Sequence, residues 1–174
     1  HRKTLDPAVE RFRPWRGQSF AVDLLQTRPW QGTGGWRAPT DPAAYAIFGT
    51  PVLAPCAGRV WMPRDRHPDM PVPEMDREHM AGNFVILECG QYRVVLAHLR
   101  RGSVTVERGE LVAIGEPLGE VGNSGNSSQP HLHIHVQQGG SREEPLSGEP
   151  VTFTFDGRYP VRNQQLVFAP ERSE

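Results

Sequence analysis

Short stretches of alternating apolar and polar residues, punctuated by glycine and proline, constrain this chain more than any other feature. In Tyr92-Arg-Val-Val-Leu-Ala-His98-Leu, the even positions Tyr92, Val94, Leu96 and His98 fall on one face of a strand. Asn83 to Cys89 (NFVILEC) is a second strand, and the tight turn at Gly90-Gln91 makes the two a hairpin. Pro51-Val-Leu-Ala-Pro and Gly58-Arg-Val-Trp61 predict two strands around a sharp corner, with Gly58 supplying an unusual backbone angle. Gly17–Leu25 reads as an apolar strand with Asp23 at its polar position. Further strands are predicted at Ser103–Val106, Leu111–Ile114, Pro117–Val121 and His131–Val136. Val151–Phe155 and Tyr159–Arg162 flank Asp156-Gly157, a hairpin turn signal. No segment carries a 3.6-residue apolar stripe, and only a short helical turn is expected around Asp41–Phe48. The predicted fold class is therefore all-β, a compact, sandwich-like antiparallel sheet core with long loop insertions. It forms a single domain over residues 1–174, with a core at about 17–140 and a C-terminal hairpin at 150–165.

Composition agrees and excludes several classes. Gly 18 and Pro 17 among 174 residues exceed the ordinary background, which suits many turns and short strands. Lys+Arg 19 against Asp+Glu 20 leaves a net charge of -1, without the basic excess or stripe of a nucleic-acid binder. No apolar run approaches the ~20 residues that span a bilayer. The chain opens HRKTLDP, without methionine or signal peptide, and reads as a trimmed or processed fragment, in which a removed leader or membrane anchor would leave no trace. Cys56 and Cys89 read most simply as free thiols in a core; bonded, they would stabilise by about 3–4 kcal/mol. Residues 26–48 and 62–82 are long, proline-rich and aperiodic, which is the pattern of functional loops. Trp30 and Trp36 in the first suggest a packed lid, and both loops are expected to rim and narrow the groove described next.

Three of the 7 histidines lie in five residues, His131-Leu-His133-Ile-His135. On a strand they project from one face at about 7 Å intervals, while Leu132, Ile134 and Val136 face a core. Imidazole is the commonest metal ligand and titrates near neutrality, so such a face reads as a metal or proton-transfer site. A lone strand histidine such as His98 more often packs in a core or at an edge. Asp23 in an apolar strand needs a cation or several donors, and a metal is its natural partner.

Four segments, in order, resemble the lysostaphin-type zinc endopeptidases, which cleave peptide bonds in bacterial cell-wall peptidoglycan. Gly49-Thr-Pro-Val-Leu-Ala-Pro-Cys-Ala-Gly-Arg-Val60 is similar to that family's GTPVxAxxxGxV corner, and Leu96-Ala-His98-Leu to its YAHL strand. Gly109–Gly119 is similar to its GxxVxxGxxIG stretch, and Gly122–His133 to its GNTGxSTGPHLH stretch. The resemblance implies a zinc cofactor held by Asp23 and His133, with His98 and His131 flanking the attacking water as catalytic residues. It implies a peptide substrate, peptidoglycan or another, and an envelope or extracellular location. Zinc would polarise the scissile carbonyl and acidify water. One imidazole would take the proton and another stabilise the oxyanion.

One departure bears on this reading. Four residues before Asp23, where the family places its first histidine ligand, stands Ser19, beside Gln18. If residues 19 and 23 share a strand face, Ser19 stands where that imidazole would. The missing ligand is sought in His135, His67, His79 or His1; otherwise zinc is held weakly by two ligands. The alternative function is a catalytically degenerate module that binds or regulates wall peptides. Lipoyl attachment is excluded by the lack of any lysine but Lys3, and a histidine phosphocarrier has only the lone imidazoles in its favour.

Overall fold

The structure is a computed structural model and describes residues 10–26, 38–161 and 164. Among the described residues nine strands follow one another: β1 Val22–Leu24, β2 Pro51–Leu53, β3 Gly58–Arg64, β4 Asn83–Cys89, β5 Tyr92–Leu99, β6 Leu111–Val112, β7 Pro117–Glu120, β8 Leu132–Gln138 and β9 Glu149–Val151. Seven form one antiparallel sheet in the order β1-β8-β5-β4-β3-β6, with β9 also on β8; β2 and β7 form a separate antiparallel pair. The all-β expectation therefore holds.

Period-2 alternation in β4, β5 and β8 divides the large sheet's faces cleanly. Val85, Leu87, Val94, Leu96 and Ile134 point one way and join Val52, Leu118 and Val121 in the main core. Phe84, Ile86, Val95 and Ala97 point the other way, against Leu146, Trp15 and Trp61. Cross-strand pairing places His133 opposite Ala97 and His135 opposite Val95, so the histidines share this second face.

Several local expectations are corrected. Gly17–Leu25 is not one strand: Glu10–Phe20 is a 3-10 segment kinked at Trp15, and only Val22–Leu24 pairs, with β8. The proline inside it removes an N–H donor, and the segment caps the histidine face instead of extending the sheet. Gly17 allows this close approach, since a Cβ there would overlap the Gln137 side chain. Residues 62–64 are strand and not loop, as β3 runs to Arg64. Ser103–Val106 forms no strand. Among the described residues the C-terminal hairpin is a Phe155–Arg158 bridge around Asp156-Gly157, and Val151 pairs with β8 instead. The helical turn near Asp41 is present as the 3-10 segment Pro42–Ala44, capped by the Asp41 side chain on Ala43 N.

Cys56 and Cys89 are not free thiols but a disulfide, with Cα atoms 6.2 Å apart. Neither sits deep enough to be a simple core residue, and the bond ties the β2–β3 corner to the end of β4. The loop spans 33 residues in sequence. Replacing both cysteines by serine should therefore cost about 3–4 kcal/mol on the chain-entropy argument. Urea midpoints of the two proteins measure it; a loss below about 1 kcal/mol contradicts the argument.

Candidate active site

β1 and β8 pair so that Asp23 faces His133 directly. The Asp23 Oδ1 lies 3.0 Å from His133 Nδ1 and 3.5 Å from His131 Nε2. His98 completes the group: its ring centroid is 4.6 Å from that of His131 and 5.6 Å from that of His133. The structure thus brings together all four residues singled out in the sequence, from positions as far apart as 23 and 133.

His98 arrives there by a bulge. Strict alternation would send it into the main core behind Leu96. Instead β4 pairs Asn83 with Leu99 and Phe84 with Ala97, skipping His98, whose φ is 62°. A left-handed, non-glycine residue in a bulge turns its side chain to the opposite face. Leu99 then returns to the main core, fully buried, while His98, 6% exposed, meets His131 and His133.

The loop Gly122–Pro130 orients two of the imidazoles. Asn123, Ser124 and Ser127 are fully buried, and Ser124 Oγ donates to Leu99 O at 2.7 Å. The His98 Nδ1–H donates to Ser124 O at 2.8 Å, which leaves the lone pair on Nε2. The His131 Nδ1–H donates to Gln129 O at 2.8 Å, with Ser127 Oγ at 3.0 Å as a second acceptor. Its Nε2 is therefore the atom turned to Asp23. Gly125, at φ 76°, lets this loop run against the backbone of Gly82, where a Cβ would clash.

A second chain of contacts runs behind His133. Gln137 Nε2 donates to Gly139 O at 3.1 Å and to Pro145 O at 2.7 Å, so its Oε1 faces His135 Nε2 at 3.4 Å. Assigned from this network, His135 carries its proton on Nε2 and accepts at Nδ1 from His133 Nε2–H, 3.0 Å away. His133 Nδ1 is then a lone pair aimed at a carboxylate oxygen. Two acceptors at 3.0 Å need a cation between them, a proton or a metal ion. Both nitrogens of His135 are engaged away from Asp23, so it is a positioning neighbour of His133 and not the missing ligand. His67 and His79 lie together with Asp76 in a group of their own, and His1 falls outside the described residues. Gln137 escaped sequence reading, although one further step of the same alternation reaches it.

The electrostatics match. Burial pushes the His98 imidazole down to about 3 from 6.5, with the His131 and His133 charges adding and the Ser124 carbonyl and Asp23 opposing. Burial also lowers His131, against the pull of Asp23, and holds His135 well below the usual histidine range. For Asp23 burial raises the carboxyl, but the hydrogen bond that a protonated His133 donates, with the charges that His133, His131 and His98 carry when protonated, wins and brings it to about 2 from 3.8. The result is a carboxylate held ionised beside the His98 and His131 imidazoles, whose neutral form burial favours, the protonation states that bind a divalent metal.

Ser19 does not share a strand face with Asp23. It lies in the 3-10 segment, buried, with its hydroxyl on Arg16 O at 2.6 Å. Gln18 instead lines the small cavity beside His98, His133 and His135, together with Met80 and Ala81 of the 62–82 segment. That segment borders the histidines directly, since His98 N donates to Ala81 O. Trp30 and Trp36, on which the lid expectation rested, lie outside the described residues.

If His135 orients His133, then His135→Phe, which fills the space without the Nδ1 acceptor, should weaken zinc binding about 10–100-fold. Zinc titration measures this, and unchanged affinity would remove the relay.

Comparison with known proteins places this geometry in a family. Residues 41–145 match Peptidase family M23, a span holding His98, His131 and His133. The peptidoglycan DD-endopeptidase ShyA of Vibrio cholerae is 28% identical over 135 residues, covering 77% of this chain and 23% of that protein. An uncharacterized metalloprotease of Haemophilus influenzae is 33% identical over 142 residues, covering 81% of this chain and 22% of its own length. The chain thus spans less than a quarter of either relative. The crystal structure of a zinc-containing peptidase from Vibrio cholerae aligns at 28% identity with a TM-score of 0.42, over 53% of this chain and 24% of that one. With its family match covering more than half of its length, the chain belongs to Peptidase family M23.

Proposed function

We propose that this chain is a zinc-dependent endopeptidase of the cell envelope, hydrolysing peptide bonds in bacterial peptidoglycan. The carrying observation is the convergence of His133 Nδ1, at 3.0 Å, and His131 Nε2, at 3.5 Å, on the same Asp23 oxygen, a carboxylate and two imidazole nitrogens turned to one point. The nitrogen and carboxylate donors suit zinc. Asp23 and His133 would hold the ion, with His131 Nε2 the nearest further nitrogen. Bound there, zinc supplies Lewis acidity toward the scissile carbonyl and toward water.

The residues of the chain do the proton chemistry. His98 Nε2, kept neutral by burial, can take a proton from the attacking water and pass it to the leaving amine. His131 Nε2, fixed by Gln129, can hold the developing oxyanion once protonated. Positioned general acid–base catalysis of this kind contributes about 10²–10⁴-fold. The Cys56–Cys89 disulfide supports an oxidising compartment and so export. Among the described residues no helix is long and apolar enough to cross a membrane.

Ser19, in place of the histidine that the lysostaphin-type pattern has, favours a second reading: a binding module that has lost hydrolysis. One experiment separates the two. Purified chain with zinc is incubated with peptidoglycan sacculi, and newly freed amines and soluble fragments are followed by mass spectrometry. Cleavage that stops with a chelator and in His98→Ala supports the peptidase. Co-sedimentation with sacculi without cleavage supports the binding module.

A further inference from the structure

The long connection between β3 and β4, residues 65–82, carries two of the remaining histidines. His67 and His79 stack with ring centroids 4.2 Å apart, tilted by 35°. Asp76 Oδ2 lies 2.8 Å from His79 Nδ1. Ligand atoms of all three residues lie within 4.8 Å of one another. His67 is 6% exposed, and its Nε2 is a buried polar atom without a hydrogen-bond partner among the described residues. A buried nitrogen left unpaired costs about 1–3 kcal/mol. The Asp76–His79 pair explains two of the three side chains but not that atom.

We propose that His67, Asp76 and His79 form a second metal site, which takes a divalent transition-metal ion such as zinc and staples the β3–β4 connection. Two imidazoles and one carboxylate suit zinc, nickel or copper and not calcium or magnesium, which favour all-oxygen sites. Ligands of tetrahedral zinc stand about 3.3 Å apart, so no pair in the group needs to close by more than about 1.5 Å. The His79 side chain is 44% exposed, which opens an entry path and a position for water as fourth ligand.

The backbone around the group is already fixed. Asn83, fully buried, accepts from Arg66 N and His67 N at 2.8 Å and donates to His67 O at 2.8 Å. Asp76 N donates to Gly125 O at 2.9 Å, and its Oδ1 accepts from Glu78 N and His79 N. The donors are thus anchored to the start of β4 and to the loop that orients His98 and His131. Burial, His79 and the charges of Arg66 and Arg64 lower the His67 pKa, while Asp76 opposes. The two arginines disfavour a cation, and the Asp76 carboxylate offsets part of that charge. The arrangement shares no residue with the Asp23 group, so it stands or falls independently of the proposed peptidase activity.

The test is equilibrium dialysis of the full, chelator-stripped chain against buffered zinc, comparing parent, His79→Gln, His67→Phe and His133→Ala. His79→Gln and His67→Phe should each bind one zinc fewer per chain than the parent, or bind that zinc at least about tenfold more weakly. His133→Ala should retain this equivalent whatever happens to the other. Zinc should also slow proteolytic cutting within 65–82 in the parent but not in His79→Gln. Because His79 is partly exposed, the chelated His79→Gln protein should melt with the parent, which controls for folding. Equal zinc binding by the parent, His79→Gln and His67→Phe overturns the site.

Discussion

Replacing Asp23 by asparagine is expected to lower zinc affinity at the histidine cluster roughly 10³-fold and to abolish peptide hydrolysis. Asparagine keeps the shape and one oxygen but removes the negative charge that faces His133 at 3.0 Å and His131 at 3.5 Å. Zinc at a complete four-ligand structural site is worth about 10–16 kcal/mol at neutral pH, or up to about 4 kcal/mol per ligand, near 10³-fold, and Asp23 is one of the two residues that would hold the ion here. The fold should persist, since the Asp23 side chain is 43% exposed and the β1–β8 pairing is made by backbone. Calorimetric zinc titration and sacculus digestion, with melting temperature as control, make the measurement. Zinc affinity within tenfold of the parent would mean that Asp23 is not a ligand.

The second large effect is on stability. In chelated protein, stability should fall steeply as pH drops below about 6.5. His98 has its folded pKa lowered to about 3 from 6.5, chiefly by burial. The folded state therefore refuses a proton that the unfolded chain accepts. Its contribution is complete above the unfolded pKa and is lost as pH falls toward the folded one. At 1.36 kcal/mol per pH unit, His98 alone removes about 2 kcal/mol by pH 5 and about 4 kcal/mol by pH 3, where the folded state itself is half protonated. His131 and His135, both lowered, act in the same direction. Asp23, lowered to about 2 from 3.8, adds its own loss only below about pH 4. Urea unfolding at pH 7.5 and pH 5 in chelator checks the slope, and His98→Gln should flatten it. A parent protein equally stable at both values would show that His98 is not held neutral by its surroundings.

Fold class was legible because strand alternation is local: each Cβ projects opposite to its neighbour whatever the rest of the chain does. That rule alone puts Val94 and Leu96 in one core, and His133 and His135 on the face opposite Ile134. It fails at His98, where a bulge inserts one residue and reverses the side chain. A bulge is set by pairing with β4, and nothing in YRVVLAHL announces it. The same limit hid the 3-10 segment, whose Gly17 and Gln18 matter only because Gln137 and the histidines lie beneath them.

The sequence by itself determined that this chain is an antiparallel β protein, and its resemblance to a known family implied that Asp23, His98, His131 and His133 belong together, since residue type, period and motif are properties of short segments. Tertiary structure alone decided that Asp23 Oδ1 meets His133 Nδ1, and that His135 and Gln137 stand behind that ring. It alone joined Cys56 to Cys89 and gathered His67, Asp76 and His79 into one group. These are contacts between residues distant in the chain or held by loops. Their geometry follows from register, bulges and backbone anchoring across strands, which no local pattern encodes.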